Sequence, residues 1–262
     1  MRPGLSGVRD GHKLSVSMER STRPLRVNSP ASDHLLYWST VAYARWWLGE
    51  DASLCGLVAA NKNRLNPSIM AAIALPYNVA RGLPGKPKKH AREQIVALLN
   101  KRSSDWPDRL VERAEFCKSI AAELVSKGYV KNHQVSAVSK MMWFLKPQNW
   151  TMFDSYAADG MEIPRSPTGP VRMTSFYEKL DALGFEAVNN GLCEIVAKSP
   201  WSSIPAVRVL DTFLMRRGGM VGGSNSVDAL DAFLLSLPAT SKASLHKLAI
   251  EIQSEFGNQI LT

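Results

Sequence analysis

SAVSKMMWFLKPQNWTMFDSYA, residues 136–157, contains a helix, a proline, an aromatic connector and then a carboxylate, Asp154, where a new segment begins. On the helix read over 133–145, Val135, Val138, Met141, Met142 and Leu145 form one apolar stripe. Ser136, Ser139, Lys140 and Trp143 share another face, because residues three and four apart are neighbours on a helix. Pro147 ends that helix, having no N–H to donate and a ring that clashes with the turn before it. The connector QNWTMF then delivers Asp154 to SYAADGM, a short helical stretch, so the aspartate is expected near its N-cap. Backbone N–H groups there would hold the carboxylate ionised at neutral pH. Capping alone is a sufficient reason for an aspartate in such a place. Any chemical role must come from its surroundings.

The neighbouring segments also read as helices. HLLYWSTVAYARWWLG has helical apolar spacing, with Ser32 or Asp33 as cap and Gly49 as stop. NPSIMAAIALPYNVARG opens on Asn66 as cap with Pro67 in the first turn, is expected to kink at Pro76, and closes on Gly82. KHAREQIVALLNK and DWPDRLVERAEFCKSIAAELVSKG follow, the second ending at Gly128. Beyond the aspartate come VRMTSFYEKLDALG, FEAVNNGLCEIVAK, IPAVRVLDTFLMRRG, VDALDAFLLSL and TSKASLHKLAIEIQSEFG. GGMVGGSNS, 218–226, reads as a flexible connector. No alternating stretch is long enough for a strand. The expectation is an all-α protein of about ten helices over 31–262, preceded at 1–30 by a Ser-, Arg- and Gly-rich disordered basic arm.

The chain has 262 residues, 45% apolar and 21% charged, ordinary values for a globular protein with ample core. No apolar run reaches bilayer-spanning length, and the start has no apolar signal core, so a cytoplasmic location is expected. Cys55, Cys117 and Cys193 are far apart, as are His12, His34, His90, His133 and His246. That spacing fits no disulfide framework, zinc ribbon or iron–sulfur site, and neither a metal nor another cofactor is expected.

The net charge of +9 is concentrated. Residues 61–102 carry nine basic side chains (Lys62, Arg64, Arg81, Lys86, Lys88, Lys89, Arg92, Lys101 and Arg102) against one acid, Glu93. Such a cluster suggests a footprint for a polyanion, although a solubilising face has the same composition. The loop GLPGKPKKH within it is placed to enter or brace a duplex, or simply to face water.

Gly128, a short turn, a helix, a proline-bearing connector and an aspartate at a helix start together resemble the helix-hairpin-helix DNA glycosylase superfamily. The likeness covers about 127–161, with the C-terminal helices over 171–262 completing a glycosylase-like bundle. It implies a cleft between two helical lobes, double-stranded DNA as partner, and a hairpin whose backbone grips a phosphate. Lys131, Asn132 and His133 occupy that hairpin here, joined in DNA binding by Lys86, Lys88, Lys89 and Arg92. The resemblance also makes Asp154 the essential aspartate. Bifunctional members place a Schiff-base lysine at the start of the post-hairpin helix, where this chain has Ser136. That substitution resembles the monofunctional branch, in which water attacks. Lys140, one turn further on, is read as a phosphate contact first and as a displaced nucleophile second. The chain departs from the family in its hairpin, where KGYVKNHQ supplies one glycine instead of a G-x-G pair, and in lacking cluster cysteines.

Breaking an N-glycosidic bond passes through a sugar cation, which a fixed carboxylate can stabilise while orienting water. The nucleotide must first leave the duplex, with aromatic surfaces receiving its base. Trp143 and Trp150 near the aspartate, and Trp46 and Trp47 in YWSTVAYARWW, are the base-pocket candidates together with Ser136; packing in the core is their bland alternative. The implied activity is excision of a modified or damaged base, leaving an abasic site. The divergent hairpin admits a hypermodified base such as glucosylated hydroxymethylcytosine in phage DNA, removed as antiviral defence. Two rivals are a non-enzymatic helical DNA-binding protein using 61–102, and a metal nuclease drawing on Asp154, Asp159 and Glu162.

Overall fold

The computed structural model describes residues 34–84, 89–166 and 169–257, and every regular element among them is helical. The arm at 1–30, Lys86, Lys88 and the side chain of Lys89 lie outside the described residues. The described residues form one compact unit.

Helix α1 (Leu35–Trp46) does not stop at Gly49. It widens into a single π-type turn, Trp47–Asp51, and continues as α2 (Ala52–Ala60). A glycine lowers helix stability by about 1 kcal/mol but leaves the backbone free to carry on when the flanking turns are packed. Helix α3 (Pro67–Ala74) begins as its sequence predicts, with the Asn66 side chain accepting from Ile69 N–H at 2.9 Å and Pro67 in the first turn. It ends before Pro76 instead of bending through it; a tight turn at Ala80–Gly82 follows. Pro76 removes one N–H, and Asn78 at φ 54° takes the left-handed conformation that breaks the periodicity.

Helices α4 (Lys89–Arg102) and α5 (Leu110–Ser126) come next. Gly128, at φ 69°, closes α5: its own N–H and those of Tyr129 and Val130 return to the carbonyls of Val125 and Leu124. After the hairpin comes α6 (Val135–Leu145), in which every residue except Ser136 is buried. The apolar stripe read from the sequence is inside, and so is the opposite face. Helix α7 (Ser155–Gly160) starts at Asp154, followed by α8 (Pro170–Ala182), α9 (Phe185–Ala197), α10 (Val207–Arg217), α11 (Val227–Ser236) and α12 (Ala239–Phe256).

Helix α10 crosses α7 so closely that backbone meets backbone. A Cβ on Gly160 would strike the Leu214 carbonyl, and one on Gly218 would strike the Tyr156 carbonyl. The other side of α10 faces α1, which also packs on α12. The segment 218–226 is not a loose connector. Arg216 donates to the Asn225 carbonyl at 2.6 Å, Arg45 donates to the Ser224 carbonyl, and Gly223–Asn225 forms a 3₁₀ turn. No helix among the described residues is long and apolar enough to cross a membrane.

Candidate functional site

The connector between α6 and α7 has no ladder partner, so its polar backbone must be satisfied by side chains. The polar face of α6 does this. Ser139 Oγ accepts from Phe153 N–H at 3.1 Å, and Ser136 Oγ donates to the Phe153 carbonyl at 3.2 Å. From other elements, Tyr177 donates to the Thr151 carbonyl at 2.6 Å and Arg113 to the Asn149 carbonyl at 2.5 Å. Asp154 is therefore placed by an anchored segment.

Its Oδ1 caps α7 by accepting from Tyr156 N–H at 2.9 Å. Its Oδ2 accepts from Lys140 Nζ at 3.0 Å. Burial opposes the carboxylate's charge. The Lys140 ammonium, the Tyr156 N–H and the more distant Arg208 outweigh it and hold the carboxyl below its usual range. Lys140 completes its set of acceptors with Ser136 Oγ at 2.8 Å and the Phe153 carbonyl at 3.2 Å. Three hydrogens meet three acceptors, and only 4% of the side chain is exposed while 26% of Asp154 remains open.

Asp154, Ser136 and Lys140 form one wall of a cavity of about 450 Å³. Tyr43, Trp46 and Tyr77 form an aromatic wall, and Arg208, Asp211 and Thr212 of α10 a third. Tyr156, 47% exposed, also lines the cavity.

A buried ionic knot supports the aromatic wall. Asp51 accepts from Tyr43 OH at 3.1 Å, from Trp46 Nε1 at 2.9 Å and from Tyr77 OH at 2.6 Å. The wide turn before Asp51 puts it five residues after Trp46 on the inward side, where an ordinary α-turn would rotate it away. Arg208 lies 3.8 Å from Asp51, pairs with Asp211, and donates to Tyr77 OH at 3.2 Å. Its guanidinium also lies over the rings of Tyr43, Tyr77 and Trp143 at 5.5, 5.8 and 5.3 Å. Burial disfavours its charge, yet Tyr77, Asp51 and Tyr43 push its pKa above the ordinary arginine value. Burial and the Asp51 charge raise Tyr43, and burial raises Tyr77, so both phenols stay neutral donors.

The sequence-selected residues divide. Asp154, Lys140, Ser136 and Trp46 meet at the cavity. Trp143 and Trp150 do not: both are wholly buried, Trp143 behind Arg208 and Trp150 between Trp106 and Tyr177, so neither can receive a base. Trp47 packs partly buried against the core and is not among the cavity's lining residues. Lys140 is no phosphate contact, because its ammonium is enclosed against Asp154. The acids considered for a nuclease are dispersed, with Asp159 paired to Arg165 at 2.6 Å and to Arg172 at 2.5 Å, and Glu162 74% exposed opposite Arg217. Burial raises all three thiols, Cys55 to about 12, so none supplies a thiolate at neutral pH.

Lys131, Asn132 and His133 are exposed in the hairpin between α5 and α6. The basic segment touches this hairpin directly. The Gln134 side chain fills the space where a Cβ of Gly82 would be, and Tyr129 OH reaches Gln94 of α4 at 3.5 Å. Arg92 is partly buried and spends its Nε on the Pro84 carbonyl at 2.5 Å, bracing the α3–α4 loop.

Tyr43 stood only among the aromatics of YWSTVAYARWW, and Asp51, Tyr77, Arg208 and Asp211 were not picked out from the sequence. A signal existed for the last pair: in IPAVRVLDTFLM two opposite charges three residues apart interrupt an apolar run, as a buried pair requires. No protein-family model, curated protein or solved structure matches the chain.

Proposed function

We propose that this chain is a monofunctional DNA glycosylase of helix-hairpin-helix type. It excises a modified or damaged base and leaves an abasic site. The observation that carries the reading is Asp154: a carboxylate kept ionised by Lys140 and the Tyr156 N–H, partly open, on the wall of a cavity with an aromatic side. A surface cap would need neither a buried lysine nor a cavity.

In this reading the hairpin residues Lys131, Asn132 and His133 hold the backbone of double-stranded DNA, with the adjoining basic segment extending the contact. The target nucleotide leaves the stack and its base enters between the Trp46 and Tyr77 side and α10. As the C1′–N bond breaks, its electron pair goes to the base nitrogen, which takes up a proton. Asp154 stabilises the positive charge left on the sugar and orients water, whose oxygen forms the new bond to C1′. Fixed charges of this kind are worth about 3–4 kcal/mol, a hundredfold to thousandfold in rate. Lys140 acts as a positioning residue: its hydrogens are all engaged, so it is spent on holding Asp154 and not on attacking C1′.

The cavity has the volume of sites that enclose drug-sized molecules, larger than a bare pyrimidine needs. That supports an enlarged base, and glucosylated hydroxymethylcytosine in phage DNA fits this class, with antiviral defence as the role. The test is to incubate the protein with genomic DNAs, ordinary, damaged and from phages with hypermodified bases, and to identify released bases by mass spectrometry. Binding without release from any DNA would favour a binding-only protein. Release from damaged DNA alone would remove the phage reading.

A further inference from the structure

The basic side chains of 61–102 are not used alike. Arg92 is spent on the α3–α4 loop. Arg102 turns toward α5, donating to Ser119 Oγ at 3.0 Å with its guanidinium over the Phe116 ring. Lys62, Arg64 and Lys101 are exposed, and none of them has an acidic partner among the described residues. Asn100, in the last turn of α4, brings the three together. Its side chain accepts from Leu65 N–H at 2.8 Å and donates to the Leu65 carbonyl at 2.9 Å, which clamps the α2–α3 loop to α4 and sets Arg64 close to Lys101. The loop itself is fixed. Lys62 and Asn63 both take the left-handed conformation, at φ 57° and 55°, which is unfavourable for residues with side chains. The N–H groups of Lys62, Asn63 and Arg64 return to the Ala59, Val58 and Asn61 carbonyls, so the loop offers a ligand its side chains and not its backbone. Gln94, Ala97 and Lys101 follow one another on one face of α4, since residues three and four apart are neighbours. The hairpin meets α4 at Gln94 through Tyr129. From there to Lys101 the helix rises about 10 Å. The acids nearest in sequence are engaged elsewhere, Glu93 lying 3.7 Å from His90 and Asp105 accepting from Ser104 Oγ at 3.2 Å.

Resting on the reading of this chain as an enzyme that holds duplex DNA, we infer that Lys62, Arg64 and Lys101 form a second phosphate-binding site, apart from the hairpin. None of the three lines the cavity. The ligand is the sugar–phosphate backbone of the duplex that flanks the target nucleotide. Phosphates of one strand advance about 3.4 Å along the duplex axis per base pair, so a site about 10 Å beyond the hairpin contact reaches the backbone about three base pairs away. Such contacts position a duplex and carry no sequence information, so the site serves whichever base is removed. Two grips separated along the duplex also keep it from turning about either one, which holds the target nucleotide in register with the cavity.

The experiment measures, by fluorescence anisotropy over a salt series, the affinity of the full-length protein for a duplex of about two helical turns. The native protein is compared with the triple variant Lys62→Ala, Arg64→Ala, Lys101→Ala. A control variant removes the same charge elsewhere, by alanine at Lys198, Lys242 and Lys247 at the end of α9 and on α12. In the triple variant the slope of log affinity against log salt should fall by about two to three, roughly 0.9 for each lost contact, with a roughly tenfold to hundredfold loss of affinity at physiological salt. The control keeps the native slope, and so does the charge-preserving pair Lys62→Arg, Lys101→Arg. A slope is insensitive to how much of a variant folds. An unchanged slope in the triple variant overturns the inference, as does an equal fall in the control, which assigns the effect to net charge. Binding to anionic phospholipid vesicles in place of the duplex, lost through the same three substitutions, overturns it by giving the site to a membrane surface. The glycosylase reading fails separately: the expected slopes with no base released from any DNA refute that reading and uphold the site, whereas release with unchanged slopes does the reverse. A native protein that binds no duplex refutes both.

Discussion

Asp154 caps α7 with one carboxylate oxygen, holds Lys140 with the other and lines the cavity. Its N-cap position was legible in the sequence, because a proline stop, a short connector and a new helical stretch left few other places for it. The company of Ser136 and Lys140 was legible too, from their spacing on one face of a helix. What that face does was not, since a helical wheel places side chains without saying what they meet. Lys140 was read toward phosphate, yet it is sealed against the aspartate at 3.0 Å. The folded carboxyl of Asp154 titrates below its unfolded value, so the stabilisation from its ion pair is complete above the unfolded carboxylate pKa and is lost as pH falls through the folded one. Base release should then stay level from neutral into mild acid on the aspartate's account and decline only below about pH 4; a pH–rate profile falling from near pH 6 in step with an aspartate titration would contradict this. Replacing Lys140 by Met strands a largely buried carboxylate, at a cost of about 3 kcal/mol. Calorimetry should record a melting temperature lower by roughly 6–12 °C, and borohydride should trap no covalent adduct between DNA and the native protein.

Elements carry the geometry that individual residues exploit. The wide turn at Trp47–Asp51 was unreadable because Gly49 looks like a stop, and only tertiary packing keeps the helix running through it. That turn lets one carboxylate hold Tyr43, Trp46 and Tyr77 together. Trp143 of α6 and Trp150 of the connector were misread for a related reason. Proximity in sequence to Asp154 says nothing about which side of the segment each ring takes, and α6 is buried on both faces. Between α7 and α10, Gly160 and Gly218 permit backbone contact that sets the distance from Asp154 to the Arg208 wall. Gly160→Ala should cost about 1–3 kcal/mol in stability through overpacking. It should also lower base release more than binding of DNA, because α7 must shift with its N-cap. Denaturant titration beside a rate measurement checks both, and an alanine variant of native stability and rate would show that the close approach is dispensable.

For the whole molecule, periodicity and the absence of alternating stretches were enough to give an all-helical chain, since amphipathic spacing survives any tertiary arrangement. Burial of two opposed charges in α10, and hence the third wall of the cavity, depends on which helices become neighbours, information that local spacing does not hold. The contact between Gly82 and Gln134 is similar: it brings the basic segment against the hairpin across about fifty residues of sequence, so that two separate signals adjoin at one place on the surface. If that surface holds phosphates, affinity for DNA falls linearly with salt on logarithmic axes, and Lys131→Ala lowers the slope by about one while weakening all sequences alike. Fluorescence anisotropy over a salt series measures it; a slope unchanged by the substitution would place the phosphate contacts elsewhere.

On the glycosylase proposal, the ionised carboxylate of Asp154 acts on the sugar of an extruded nucleotide. The most direct measurement of this compares base release and DNA affinity for the native protein and Asp154→Asn on the same DNA. Release should fall about a hundredfold to thousandfold in the asparagine variant while affinity is kept or improved. Release at the native rate from the asparagine variant would contradict it.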